Sequence, residues 1–256
     1  MVPRVVLHDR SMGRARSGTI KERTKDFYQK HLDHWKTIGD DFPVWTGSSA
    51  PDYTGHKDLL MAFYRLLPGP RILGAGCGPV ARDLRFLARR GCHPVGVDLV
   101  PENVESARRV TTEGVTYRVA DLTEPWSFPA ASFHGVLCVA VVQHLTQPAL
   151  SKVFLSQAVR VLKPEGVFLL VFKKGKGVRR IFDRKLAVHR LFRLYAPADI
   201  VTMAQRHHLS PVPLSPGSKD PEINFEDGRG IPHSAILLRK STYRRPGRRV
   251  RVSRLR

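Results

Sequence analysis

The stretch that most constrains this chain runs from Arg71 to Val100. An apolar run there turns through Gly74, Gly76 and Gly78. It then enters a segment whose apolar residues Val80, Leu84, Leu87 and Ala88 fall on one helical face. Gly91 stands where a helix end takes a left-handed residue. A second apolar run, Pro94 to Leu99, carries Asp98 near its end. Strand, glycine turn, helix, strand is a βαβ unit, and about 30 residues is the length such a unit needs. Glycines at the turn let a ligand touch the backbone and are expected to leave amide N–H groups for it. An acid at the tip of the second strand is placed to accept hydrogen bonds from the two hydroxyls of a ribose.

The next elements extend this pattern. Pro101 to Val110 reads as a helix with proline in its first turn. Val115 to Asp121 reads as a third strand ending in Asp121 and Leu122. An acid at a strand's end either caps the following turn or faces a ligand at the sheet's carboxyl end. The nearly continuous apolar run from Phe133 to Val142 suits a strand buried on both faces of a parallel sheet. Gln147 to Leu162 reads as a helix. The turn Leu162-Lys163-Pro164-Glu165-Gly166 then leads into a fifth strand, Val167 to Phe172.

These residues resemble the cofactor site of the class I S-adenosylmethionine-dependent methyltransferases, and the LKPEG turn resembles the L-K-P-G-G of their small-molecule members. The resemblance covers about residues 56–172. It implies a doubly wound α/β fold with a mostly parallel, seven-stranded sheet, completed by antiparallel strands near residues 208–216 and 233–238. It also implies S-adenosyl-L-methionine as cofactor, held by Gly74, Gly76, Cys77, Gly78, Asp98, Leu99, Asp121, Leu122 and Val139, with Asp98 on the ribose and Asp121 near the adenine. Three positions depart from the family pattern: Gly74 replaces an acid, Val80 a glycine and His134 an acid. Gly76, Gly78 and Ala81 also satisfy a dinucleotide fingerprint, so a nicotinamide-dependent oxidoreductase is a competing reading. Asp121 and the lack of a substrate domain weigh against it. His144, just past the fourth strand's tip, is the candidate base, with Tyr28 and His31 as weaker candidates.

The flanks divide the chain into four parts: a basic segment 1–20, a helix and loop over 21–55, the methyltransferase domain over 56–240 and a basic tail from 241. Residues 21–38 read as one helix with Phe27, Tyr28, His31, Leu32 and Trp35 on one stripe. The resemblance implies that this helix covers the cofactor and helps shape the substrate pocket, whereas Phe27 and Leu32 are expected to pack against the domain. Lys173 to Arg180 reads as a basic loop at the ligand-binding end of the sheet, 182–208 as largely helical and 217–231 as a loop. The formal net charge is +21, and residues 1–25 and 239–256 contribute +5 and +9 of it. Such ends favour polyanions through counterion release, which makes RNA a second possible substrate or partner beside a small molecule. A binding protein that has lost catalysis is a further alternative. The three cysteines show no metal spacing and fit a reducing cytoplasm. No apolar run is long enough to span a membrane. The oligomeric state stays open.

Overall fold

The computed structural model describes residues 20–37, 39, 41–183, 186–214, 222–227 and 230–241. Strand β1 (Arg71–Ala75) leads through the glycine turn into α4 (Arg82–Ala88), and β2 (His93–Asp98) returns parallel to β1. Helix α5 (Pro101–Val110), β3 (Thr116–Val119) and β4 (Phe133–Val139) follow. A π-helical stretch (Ala149–Phe154) runs into α6 (Leu155–Val161), and β5 spans Leu162–Lys173. Before β1 come α1 (Ile20–Lys30), α2 (Leu32–Lys36) and α3 (His56–Leu66).

The main sheet runs β3-β2-β1-β4-β5 in parallel. Strand β10 (Pro232–Lys240) pairs antiparallel with β5, and β8 (Leu209–Pro211) and β9 (Glu222–Glu226) share its far edge. The doubly wound α/β reading agrees with this. The strand count differs: the sheet has eight strands, because β9 forms inside a segment read as loop. Alternating Ile223 and Phe225 bury one face of that short strand and hold it to β10. Two apolar layers flank the sheet. One holds Phe154, Leu155 and Ile200, and the other holds Leu59, Phe63, Leu84 and Val104.

Gly74 has a packing reason. A Cβ there would lie 2.6 Å from Leu84 Cδ2, and one on its strand neighbour Gly96 would lie 2.8 Å from Leu84 Cδ1. The two glycines form a slot that receives Leu84 of α4. Gly74 is therefore buried under a helix and does not line the cofactor cleft, contrary to the sequence expectation. His134 lies at the opposite end of the sheet from the strand tips. Its Nδ1 accepts from the Arg71 amide at 3.1 Å, and its Nε2 lies 3.1 Å from Lys163 Nζ. Its departure from the family pattern does not touch the cleft.

The largest misreading concerns residues 173–208. Lys173 is buried at the end of β5. The chain then turns and forms a hairpin, β6 (Gly177–Asp183) with β7 (Val188–Leu194), before α7 (Pro197–Arg206). The segment alternates in period two: Asp183, Arg190 and Phe192 are buried, and Phe182, His189 and Leu191 are exposed. The expected N-terminal helix also breaks at His31 into α1 and α2. Two cations of the basic stretch 239–256 lie within the sheet. Arg239 and Lys240 belong to β10, and Lys240 Nζ donates to the carbonyls of Val159 and Leu162 at 2.7 and 2.6 Å. Nearly all of residues 1–20 and 242–256 lie outside the described residues. Among the described residues, no helix is long and apolar enough to cross a membrane.

Candidate functional site

A cleft of about 270 Å³ opens at the carboxyl ends of β1 to β4. Gly76, Cys77, Gly78, Asp98, Leu99, Asp121, Leu122, Val139 and His144 all line it. Of the residues expected at the cofactor, only Gly74 is elsewhere.

The glycine turn is held from β2. Gly76 and Gly78 adopt φ of 83° and 65°, which glycine takes without steric cost. The amides of Gly76 and Cys77 both donate to Val97 O, at 2.8 and 2.9 Å. The Gly78 amide donates to Asp98 Oδ2 at 2.9 Å. These three amides are thus spent inside the protein, contrary to the expectation that they face a ligand. The turn's contribution is its closeness of approach. A Cβ on Gly76 would lie 2.3 Å from Val141 Cγ2, while one on Gly78 would meet nothing within 4 Å.

Asp98 is the junction of this end. Its Oδ1 accepts from the Val100 amide at 3.0 Å and from Asn103 Nδ2 at 3.1 Å. Burial pushes its pKa up, and the amides of Val100 and Gly78 with the Asn103 side chain oppose that shift. Asp121 lines the same cleft. Its Oδ1 accepts from the amide and hydroxyl of Thr123 at 2.9 and 2.7 Å, and it forms an ion pair with Lys21 of α1. Burial raises its pKa, but the bonds from Lys21 and Thr123 outweigh this and hold the carboxyl below its usual value.

Asp83, in the first turn of α4, also lines the cleft. Its Oδ2 lies 3.0 Å from His56 Nε2, and its Oδ1 lies 3.4 Å from Arg82 Nε. Burial opposes ionisation, yet His56 and Arg82 pull its pKa down to about 2. Sequence reasoning missed Asp83, because a lone acid in a helix's first turn reads as ordinary dipole compensation.

His144 sits in a 3-10 turn just beyond β4. Its Nε2 lies 3.2 Å from Tyr28 Oη, and Arg190 Nη2 donates to that same oxygen at 3.0 Å. Burial of the ring, then the charges of Arg190 and Lys173, bring its pKa down to about 3. The imidazole is therefore neutral and weakly basic in the free protein. Because the folded value lies below the unfolded one near 6.5, protonation favours unfolding. The stability His144 contributes is full above about pH 6.5 and drains as pH falls toward 3. An NMR titration of the free protein is expected to show no His144 protonation between pH 8 and 5. A midpoint near 6.5 contradicts this environment.

Among the described residues, no group of three or more His, Cys, Asp or Glu side chains is placed to hold a metal ion. Residues 73–170 match the methyltransferase domain family. An S-adenosyl-L-methionine-dependent Diels-Alderase of Talaromyces variabilis is 33% identical over 123 residues, covering 45% of this chain and 40% of that protein. A ubiquinone biosynthesis O-methyltransferase of Xanthomonas campestris is 28% identical over 152 residues, covering 57% and 62%. The chain thus matches less than two thirds of the length of either relative. Among solved structures, the 1,6-didemethyltoxoflavin-N1-methyltransferase of Burkholderia thailandensis, crystallised with its substrate and S-adenosylhomocysteine, superposes with a TM-score of 0.59. That match covers 87% of each chain at 20% identity, a likeness of fold.

Proposed function

We propose that this chain, whose residues 73–170 form a class I S-adenosylmethionine-dependent methyltransferase domain, transfers a methyl group to a small-molecule acceptor. The observation that carries the reading is the convergence of two strand-end carboxylates, Asp98 and Asp121, on one cleft beside a glycine turn. The cofactor, when bound, supplies a methyl group already activated on a sulfonium. The protein's task is then alignment, which contributes roughly 7–11 kcal/mol to such reactions.

The residues present fit that cofactor. Asp98 is placed to accept from the ribose hydroxyls, while Leu99 and Leu122 give the base apolar walls. Asp121 serves the adenine amine, with Lys21 as the contact that adenine competes against. The acid absent at position 74 has a replacement in Asp83, an ionised carboxylate at the cleft that suits the cofactor's ammonium. Asp83→Asn is expected to weaken S-adenosylmethionine binding more than tenfold. Binding of 5′-methylthioadenosine, which lacks the amino-acid end, should stay within threefold. Equal losses for both ligands contradict this assignment.

The acceptor side is walled by α1, through Thr24 and Tyr28. Tyr28 Oη touches both Arg190 and His144 Nε2. A proton leaving the acceptor passes to the Tyr28 oxygen as the Tyr28 proton passes to Nε2. One relative is named a Diels-Alderase, so the fold alone does not fix the reaction. Cofactor consumption matched one-to-one by methylated product is the result expected of transfer. Product formed with the cofactor intact contradicts it.

A further inference from the structure

Beside the cofactor cleft lies a second cavity of about 300 Å³. Thr24, Tyr28 and His144 line both, so the two cavities meet at those residues. The rest of the second cavity comes from α1, with Arg23 and Phe27, and from the hairpin, with Arg180, His189, Arg190 and Leu191. Three arginines line it and, among the described residues, no carboxylate does.

Arg190 is the best-held of the three. It is 8% exposed. Its guanidinium carbon lies 4.1 Å from the centre of the Phe27 ring, 4.7 Å from Phe192 and 5.3 Å from Tyr28. Aromatic faces attract a planar cation and fix its orientation. Asp183 Oδ2 lies 3.4 Å from Arg190 Nη1, and Tyr28 Oη accepts from Nη2. That carboxylate pairs with Arg190, while Arg180, exposed on the hairpin, adds a positive charge at the cavity's rim. Two histidines near Arg190 feel its charge. Burial first, and then nearby cations including Arg190, lower the pKa of both His31 and His144.

We infer that this second cavity receives the methyl acceptor, and that the acceptor carries an anionic group, a carboxylate or a phosphate, on a single small ring system. The inference rests on the cofactor reading of the neighbouring cleft. Guanidinium forks match carboxylate and phosphate oxygens in geometry as well as charge. Phe27 and Tyr28 add aromatic surface to the lining, which suits an acceptor with an apolar ring. A cavity near 300 Å³ takes one ring with a few substituents. The meeting point at Tyr28 and His144 then sets the acceptor's reacting atom toward the methyl donor's side. An anion seated beside Arg190 also raises the proton affinity of His144, by cancelling part of the charge that depresses it. Acceptor binding would thus relieve the part of the depression that comes from Arg190, while burial, the larger cause, keeps the ring weakly basic.

The test uses the full chain saturated with S-adenosylhomocysteine and titrated calorimetrically with three matched probes: 3,4-dihydroxybenzoate, 4-hydroxyphenyl phosphate and 3,4-dihydroxybenzamide. At least one anionic probe should bind tenfold or more tightly than the amide. The tighter of the two identifies the anionic group. Arg180→Gln and Arg23→Gln should each weaken the anion at least threefold, leaving S-adenosylhomocysteine affinity unchanged. Arg180 is exposed on the hairpin, so its replacement spares the core. The inference is overturned if the amide binds as tightly as the anions, or if neither anion binds to the saturated chain. It is overturned too if a short single-stranded RNA displaces the bound anion. A chain that fails to bind S-adenosylhomocysteine instead overturns the cofactor reading, and this inference with it.

Discussion

Replacing Asp98 by alanine is expected to weaken S-adenosylmethionine binding by at least tenfold. Two effects add. On the proposed function the carboxylate no longer accepts from the ribose hydroxyls, and hydrogen bonds to a charged group contribute about 1.5–3 kcal/mol each. The glycine turn also loses its anchor, because Gly78 N, Val100 N and Asn103 all donate to that carboxylate. Asp98→Asn is the milder change. It keeps the size of the side chain and one acceptor oxygen, so it loses the charge together with either the Gly78 bond or the Val100 and Asn103 bonds, but not all three. Calorimetric titration should rank affinity as wild type, then Asn, then Ala. Equal affinity for wild type and Asp98→Ala contradicts the assignment.

The second large effect separates two glycines of the same turn. Both have positive φ, so an alanine at either costs about 1 kcal/mol in backbone strain. At Gly76 the new Cβ also collides with Val141 on the cleft wall, and overpacking of this kind costs about 1–3 kcal/mol more. Gly76→Ala is therefore expected to lower both thermal stability and cofactor affinity. At Gly78 the Cβ enters open space beside the cleft. Gly78→Ala is expected to cost about 2–4 °C in Tm, the shift for about 1 kcal/mol in a chain this long. If that space belongs to the cofactor, its affinity still falls more than tenfold. An unchanged affinity in Gly78→Ala places the cofactor elsewhere.

The sequence made the centre of the fold readable because its signals are local. Strand, glycine turn, helix and strand follow one another between Arg71 and Asp98, and each signal lies within a few residues of its neighbour. Asp98 was legible for the same reason, as the last residue of β2, and Asp121 because it follows β3, which ends at Val119 rather than at Asp121, by only two residues. Gly74 was misplaced because its reason is a long side chain, Leu84, reaching back from the next helix. The turn amides were misjudged because Val97 and Asp98 of the neighbouring strand take them.

The acceptor side was barely legible. Tyr28 and Arg190 touch across 162 positions of sequence. No local pattern announces such a contact. The hairpin that carries Arg190 has β-alternation in Val188 to Leu194, but its arginines and its neighbouring basic run suggested a solvated loop and helix. His144 was found by its place after β4. Its depressed pKa depends first on burial and then on Arg190 and Lys173, and could not be read from that place alone.

The most direct test of the central claim is a calorimetric titration of the full chain with S-adenosylmethionine and, separately, with NAD. The claim is that the strand-end carboxylates and the glycine turn together hold a methionine-bearing nucleoside. The expected result is saturable one-to-one binding of S-adenosylmethionine and no measurable heat with NAD. Binding of NAD, or no binding of S-adenosylmethionine, contradicts it.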